Sequence, residues 1–286
     1  MKTRKLTVSD IRGRKVREDV NPLVMVTAYD APSARIANEA GVDLILVGDS
    51  LAMVVLGYDN TLQVSIRDMI YHTEAVARIR PDVHVIADMP WMSYHVSDED
   101  AVKNAAALIR AGADSVKVEV RLDQLPTIER ILSCDIPVIG HIGLTPQAVY
   151  ASGGFKVQAK QHEEVVALIQ LARKLENVGC YAVLLECVPM FVAEAVTVRV
   201  GIPTIGIGAG PYCDGQVLVY HDILGLEKRS YPRFVRNYAD LHTTSTEALT
   251  NFAADVRSQA FPDRSESYDS RKWTIGLQES LSQLDD

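Results

Sequence analysis

The sequence predicts an α/β protein built as a (β/α)8 barrel, a TIM barrel, with a short N-terminal helix and a C-terminal helical extension. Three observations carry this. About eight short apolar runs alternate with stretches whose apolar residues recur at helical spacing, the pattern of repeated βαβ units around a parallel sheet. The chain has 286 residues, a length that one barrel can use without a second domain. Leu44-Ile45-Leu46-Val47 is apolar without alternation, as a strand buried on both faces requires, and it runs into Gly48-Asp49-Ser50.

In chain order, Thr7 to Arg12 reads as a short helix capped by Thr or Ser. Leu23 to Ala28 is the first strand, and Pro32 to Ala40 a helix closed by Gly41. The Leu44 strand follows, then a helix from Ser65 to Arg80 ended by Pro81. His84 to Ala87 is the third strand, running into Asp88; Ser97 caps a helix to Arg110, closed by Gly112. Ser115 to Val120 is the fourth strand, Leu122 to Ser133 a helix, and Pro137 to Gly143 the fifth strand. After a Gly-rich loop come a helix from His162 to Asn177, a strand from Ala182 to Cys187 and a helix from Pro189 to Val200. Pro203 to Gly208 is the seventh strand and Gln216 to Tyr220 a weaker eighth, joined by a short turn where a helix would be regular. From Leu226 the composition turns polar; Glu247 to Gln259 reads as a helix, and the last stretch as exposed or poorly ordered. The expected organisation is one barrel domain over 1–262, including the C-terminal helices, and a polar tail over 263–286.

The net charge of −8 and pI of about 5.4 argue against nucleic acid and anionic membranes as partners, while leaving room for a locally positive site. No apolar run is long enough to span a bilayer, and no apolar segment follows the basic N-terminus as a secretory signal would need, so the expected location is cytoplasmic. Cys134, Cys180, Cys187 and Cys213 form no C-x-x-C pair and read as reduced apolar fillers.

Three segments echo one another: Glu39-Ala40-Gly41 through Asp49, Arg110-Ala111-Gly112 through Glu119, and Asn177-Val178-Gly179 through Glu186. Each is a helix end, a closing Gly, a strand and then an acid. Asp88 occupies the same place after its own strand. Parallel barrel strands all point one way, so these four acids gather at the mouth where barrel enzymes carry their sites. Crowded carboxylates need a cation or protons. Rim lysines and arginines are one answer; four acids in equivalent places favour a divalent ion. The hard oxygen donors select Mg²⁺ or Mn²⁺ over zinc or copper.

Lys117 alternates with apolar residues in step with Glu119, so both face the barrel interior, where a lysine needs a carboxylate or an anionic substrate. His141, within an apolar strand, is a candidate contact or a structural histidine. Gly206-Ile207-Gly208-Ala209-Gly210 is either an anion cradle or a barrel-corner turn; it lacks the Lys-Ser/Thr of a P-loop.

Several motifs then fall in a specific order. They are Gly48-Asp49-Ser50, Ala87-Asp88-Met89-Pro90, Val116-Lys117-Val118-Glu119, Gly140-His141-Ile142-Gly143-Leu144-Thr145-Pro146-Gln147, and Leu185-Glu186-Cys187-Val188-Pro189. Gly153-Gly154-Phe155-Lys156-Val157-Gln158 and the Gly206 motif through Asp214-Gly215-Gln216 join them. In this order the chain resembles the ketopantoate hydroxymethyltransferase family from Thr7 to Leu226, and more loosely to Pro262. The resemblance implies a (β/α)8 barrel, Mg²⁺ dependence and a homo-oligomer, typically a decamer. It implies hydroxymethyl transfer from 5,10-methylenetetrahydrofolate to 3-methyl-2-oxobutanoate, giving 2-dehydropantoate for pantothenate biosynthesis. Carried over by position, Asp49 and Asp88 ligate the metal, with Glu119 a further metal-site acid. Ser50, Lys117 and His141, along with Asp49 and Asp88, contact the keto acid, and Glu186 is the catalytic base. The chain departs from the family pattern at Val120-Arg121, where Gly-Gly is frequent, and at Ala52, where Gly is common. The isocitrate lyase and phosphoenolpyruvate mutase type of barrel is the nearest rival; its Cys-bearing loop is not found.

Overall fold

The computed structural model describes residues 4–15, 21–79, 81–151, 153–268 and 280–281. Arg80, the expected end of one helix, and most of the expected tail lie outside the described residues. Eight parallel strands close into a barrel in sequence order. The first compact unit covers Met1–Ile223 with Arg229–Asn237, and the second Leu224–Lys228 with Tyr238–Asp286.

Helix α1 (Val8–Arg12) is capped by Thr7, whose side chain accepts from the Asp10 N–H while the Asp10 carboxylate accepts from Thr7 in return. Its Ile11 is fully buried in the cluster inside the barrel, with Leu23, Met25, Leu44, Ile86, Leu184 and Val217. The N-terminal helix thus plugs the end opposite the strand C-termini. Lys15 fastens the segment after it, donating to the carbonyls of Thr197 at 2.6 Å and Ile202 at 3.2 Å and to the Asp214 carboxylate at 2.8 Å.

Strand β1 (Leu23–Thr27) leads to α2 (Ala31–Glu39), capped by Asp30. Strand β2 (Leu44–Val47) is buried at every position, as its unbroken apolar run requires. Two short turns follow that apolar periodicity does not reveal: α3 (Leu51–Val54) and a 3₁₀ turn at Thr61–Gln63. Then come α4 (Ile66–Ala77, capped by Ser65), β3 (His84–Asp88), α5 (Asp98–Arg110, capped by Ser97) and β4 (Ser115–Glu119). The segment after β4 is a 3₁₀ turn at Leu122–Gln124 before α6 (Leu125–Leu132), with Pro126 in the first turn of the helix. Strand β5 (Val138–Gly143), α7 (His162–Val178), β6 (Ala182–Glu186), α8 (Met190–Thr197), β7 (Thr204–Ile207) and β8 (Gly215–Leu218) complete the ring, and α9 (Tyr220–Leu224) follows. No helix separates β7 from β8, as the short turn in the sequence required.

A second core layer lies between strands and helices and includes Ile45, Val47, Val85, Val116, Val118 and Val183, with Ala34, Met69, Leu108 and Leu175 from the helices. The register sets the site: Asp88 is level with Lys117, Glu119 with His141, and Gly143 with Glu186. Gly143 is required there. Its φ is +97°, and a Cβ would collide with the Glu186 carbonyl oxygen, which accepts the Leu144 N–H at 2.8 Å.

In the second unit, α10 spans Leu241–Ser258 and starts six residues before the expected Glu247. Its first turns are rich in threonine and lack the apolar recurrence that marks a helix. Asp240 nevertheless accepts the Thr243 N–H at 3.0 Å, and the Thr244, Thr246 and Thr250 hydroxyls donate to carbonyls four residues back.

Candidate active site

The strand C-termini open into a cavity of about 480 Å³ that Asp49, Asp88, Lys117, Glu119, His141 and Glu186 all line. Every side chain singled out from the sequence is therefore in one place. Asp88, Glu119 and Glu186 are the last residues of their strands, and Asp49 stands two beyond β2. Ser50 lines the same cavity, its hydroxyl 2.9 Å from that of buried Tyr29.

Gly48 leaves room for the Ser50 hydroxyl beside two of the acids. The Asp49 backbone N–H donates to Asp88 Oδ2 at 2.9 Å, and a Cβ on Gly48 would lie 2.8 Å from Ser50 Oγ and 3.5 Å from Asp88 Oδ2. Lys117 Nζ lies 2.7 Å from Asp88 Oδ1, so the interior lysine has the carboxylate its burial demands. Burial opposes its charge, yet Asp88, Asp49 and Glu119 together hold its pKa above the ordinary value. Burial, and then Lys117, push His141 well below its usual pKa, leaving the imidazole neutral. Lys117 Nζ is 3.4 Å from His141 Nδ1, and an ammonium can only donate, so the ring proton sits on Nε2, 3.2 Å from Glu186 Oε2. With the histidine neutral, Lys117 is the cation that directly meets these four acids among the described residues.

Burial raises three of the acids, and in two of them a neighbouring acid adds to it. Burial and the Asp88 charge push Asp49 up to about 7. Burial, then Asp49, raise Glu119 well above the ordinary carboxyl range. Burial pushes Glu186 up to about 7, against the pull of Lys117. Glu119 Oε1 is buried and accepts no hydrogen bond.

A hard divalent cation suits these atoms: the donors are carboxylate oxygens, one of them, Glu119 Oε1, buried without a hydrogen bond, and the surplus charge is negative. Among the described residues no three His, Cys, Asp or Glu side chains are gathered closely enough to hold a metal together. Mg²⁺ needs fewer, commonly taking one or two carboxylates and completing its shell with water and substrate oxygens. Asp49 and Asp88 are two carboxylates on the wall of this cavity.

The Gly206–Gly210 motif is a corner turn. Gly208 has φ +63° and Gly210 φ +80°; a Cβ on the first would meet the Phe234 ring and on the second Met190. The four cysteines are free, with Cys180 and Cys213 buried. Cys187, directly after Glu186, has φ +48°, a left-handed conformation uncommon for a side chain of this kind. It turns the chain sharply at the end of β6, and its N–H donates to the Ile207 carbonyl at 2.9 Å.

A family model described as ketopantoate hydroxymethyltransferase matches residues 5–264. The chain belongs to the ketopantoate hydroxymethyltransferase family. It is accordingly an enzyme of the transferase class. A 3-methyl-2-oxobutanoate hydroxymethyltransferase of Syntrophomonas wolfei is 49% identical over 259 residues, 90% of this chain and 93% of the relative. One from Pyrobaculum islandicum is 51% identical over 243 residues, 85% of this chain and 93% of the relative. Among solved structures, 2,3-dimethylmalate lyase, a PEP mutase/isocitrate lyase superfamily member, superposes with a TM-score of 0.59 at 18% identity, covering 96% of this chain and 93% of that one. Phosphonopyruvate hydrolase with oxalate and Mg⁺⁺ gives 0.58 at 16% identity, covering 98% of each chain. At such identities the likeness is one of fold.

Within this ketopantoate hydroxymethyltransferase framework, the residue that sequence reasoning missed is Gln147. Its buried amide donates to Asp49 Oδ2 and to the Met89 carbonyl, both at 2.9 Å, and its backbone N–H donates to Glu119 Oε2 at 3.1 Å. Its side-chain oxygen accepts from Tyr94 at 2.8 Å. The one sequence signal was its place in the short 3₁₀ turn directly after β5, where a buried polar side chain has only strand-end groups to meet. Gln147→Ala is expected to deprive the Met89 carbonyl of its amide donor and leave Tyr94 only the Glu119 carbonyl to donate to, costing about 1–3 kcal/mol in denaturant unfolding, and to loosen Asp49.

Proposed function

We propose that the chain transfers a hydroxymethyl group from 5,10-methylenetetrahydrofolate to 3-methyl-2-oxobutanoate, with Mg²⁺ and a carboxylate base, giving 2-dehydropantoate on the route to pantothenate. The observation that carries this reading is the convergence of four carboxyls from four strands around one lysine and one neutral histidine, with Glu186 pushed up to about 7. The names of the relatives at about half identity support the substrate.

Asp49 and Asp88 would hold the Mg²⁺, with Glu119 beside them. When bound, the ion supplies Lewis acidity toward the keto and carboxylate oxygens of the substrate. Glu186 removes the proton from C3 of the keto acid, a poor acid that needs a base with a raised pKa. The electron pair delocalises onto the keto oxygen, where Lys117 Nζ offers fixed positive charge. His141 Nε2 lies 3.2 Å from Glu186 Oε2, beside the base. C3 then bonds to the methylene carbon as that carbon leaves the folate nitrogens. Water supplies the new hydroxyl; its other proton and the one from C3 end on the folate. Ser50 contacts the keto acid at the wall.

A homo-oligomer, a decamer by resemblance, belongs to the same proposal. Leu249, Phe252 and Val256 lie along one face of α10 and are exposed in the single chain, as an interface helix would be. Among the described residues no helix is long and apolar enough to cross a membrane. The test is an assay of purified protein with the keto acid and methylenetetrahydrofolate. Product is expected with Mg²⁺ and none after chelation. Turnover indifferent to either the folate or the chelator would overturn the reading.

A further inference from the structure

The cavity of about 480 Å³ is of the size that holds drug-sized ligands, ~300–1,000 Å³. A small branched keto acid lying on the acids uses only its floor. The outer part has a different chemistry. Phe155 and Phe234 line it while remaining 52% and 36% exposed, and Lys156 and Arg233 stand beside them. Neither cation has a salt bridge or side-chain hydrogen bond among the described residues. In a chain of net charge −8, two unpaired cations at one mouth mark a place for an anion.

Phe234 is held in position rather than loosely displayed. It lies over Gly208, where a Cβ would come within 2.8 Å of its ring. The segment carrying it is tied at both ends: Arg229 Nη2 donates to Asp222 Oδ1 at 2.6 Å, and Asn237 Nδ2 donates to the Asp222 carbonyl at 2.5 Å. Fixed aromatic faces that stay wet in the free chain are stacking platforms for flat rings, and fixing them beforehand lowers the cost of binding.

We infer that this outer compartment is the donor's seat: Phe155 and Phe234 take the flat rings of a reduced folate, and Lys156 and Arg233 its glutamate carboxylates. The inference rests on the function proposed above, since the donor must share a cavity with Glu186 for its one-carbon unit to reach the substrate.

The test uses calorimetry on the full chain with Mg²⁺ and keto acid, titrating tetrahydrofolate and, separately, tetrahydropteroate, which has the same rings without glutamate. Phe155→Ala and Phe234→Ala are expected to weaken both ligands about tenfold, and Phe234→Tyr to restore them. Lys156→Ala with Arg233→Ala is expected to weaken tetrahydrofolate about tenfold, leave tetrahydropteroate unchanged and remove the salt dependence of the wild type. Keto acid affinity, measured on each variant, reports that the barrel is intact. Variants that bind both folates as the wild type does would overturn the seat while leaving the function standing. A wild type that binds neither folate and performs no transfer would instead remove the donor, and the seat with it.

Discussion

Glu186→Gln is expected to stop exchange of the C3 proton of 3-methyl-2-oxobutanoate with solvent, and hydroxymethyl transfer with it, by about 10²–10⁴-fold. Affinity for the keto acid should stay near that of the wild type. Accessibility decides among the four acids. The Glu186 side chain is 17% exposed to the cavity, while those of Asp88 and Glu119 are 3% and 4% exposed and the whole of Asp49 is 4% exposed. Glu186 is the most exposed of the four to solvent. Glutamine keeps its size and can still meet His141, so the loss isolates proton transfer. The pH profile gives a second readout. A carboxyl raised to about 7 is mostly protonated below that value and cannot accept a proton, so exchange should rise with pH through about 7 and then level. Exchange that survives Glu186→Gln, measured by the loss of the C3 proton signal in deuterated water, would move the base to another residue.

Asp49→Asn is expected to act in opposite directions on two measurements. Mg²⁺ affinity by calorimetry should fall more than about a hundredfold, because half of the proposed two-carboxylate site is lost and the remaining carboxylate is already paired with Lys117. Without metal the same variant should unfold at higher temperature. The folded pKa of Asp49 is raised from 3.8 to about 7. Between those values the unfolded chain releases this proton while the folded chain keeps it, so stability falls as pH rises and the full cost is present above about 7. Asparagine carries no such cost and still accepts the Gln147 amide hydrogen bond. A gain of roughly 1–2 kcal/mol is expected above pH 7 and none below pH 4, the usual trade between a strained site and stability. Equal melting of the two chains at high pH would show that Asp49 is not held against its neighbours.

The four acids were legible because their signal is local. Each follows an apolar strand by a fixed count, and the direction of parallel strands does the rest. Lys117 was legible through the alternation of a strand, which put it on the side of Glu119. The start of α10 was hidden because a side-chain cap and hydroxyl back-bonds, rather than apolar recurrence, hold its first turns. The role of the Gly206 motif was undecided in the sequence, since a cradle for an anion and a seat for Phe234 ask for the same glycines. Gln147 was visible only as one letter of a motif.

By itself the sequence determined the barrel, the end of it where the acids gather, and the kinds of side chain found there, since strand period and helix closure are short-range properties of the chain. Tertiary structure alone decided which atoms meet: the neutrality of His141, the pairing of Lys117 with Asp88, the reach of Gln147 to Asp49 across 98 positions, and the aromatic rim. Those depend on desolvation and on distances between residues remote in the chain. A linear reading supplies neither, because both arise only when the strands close.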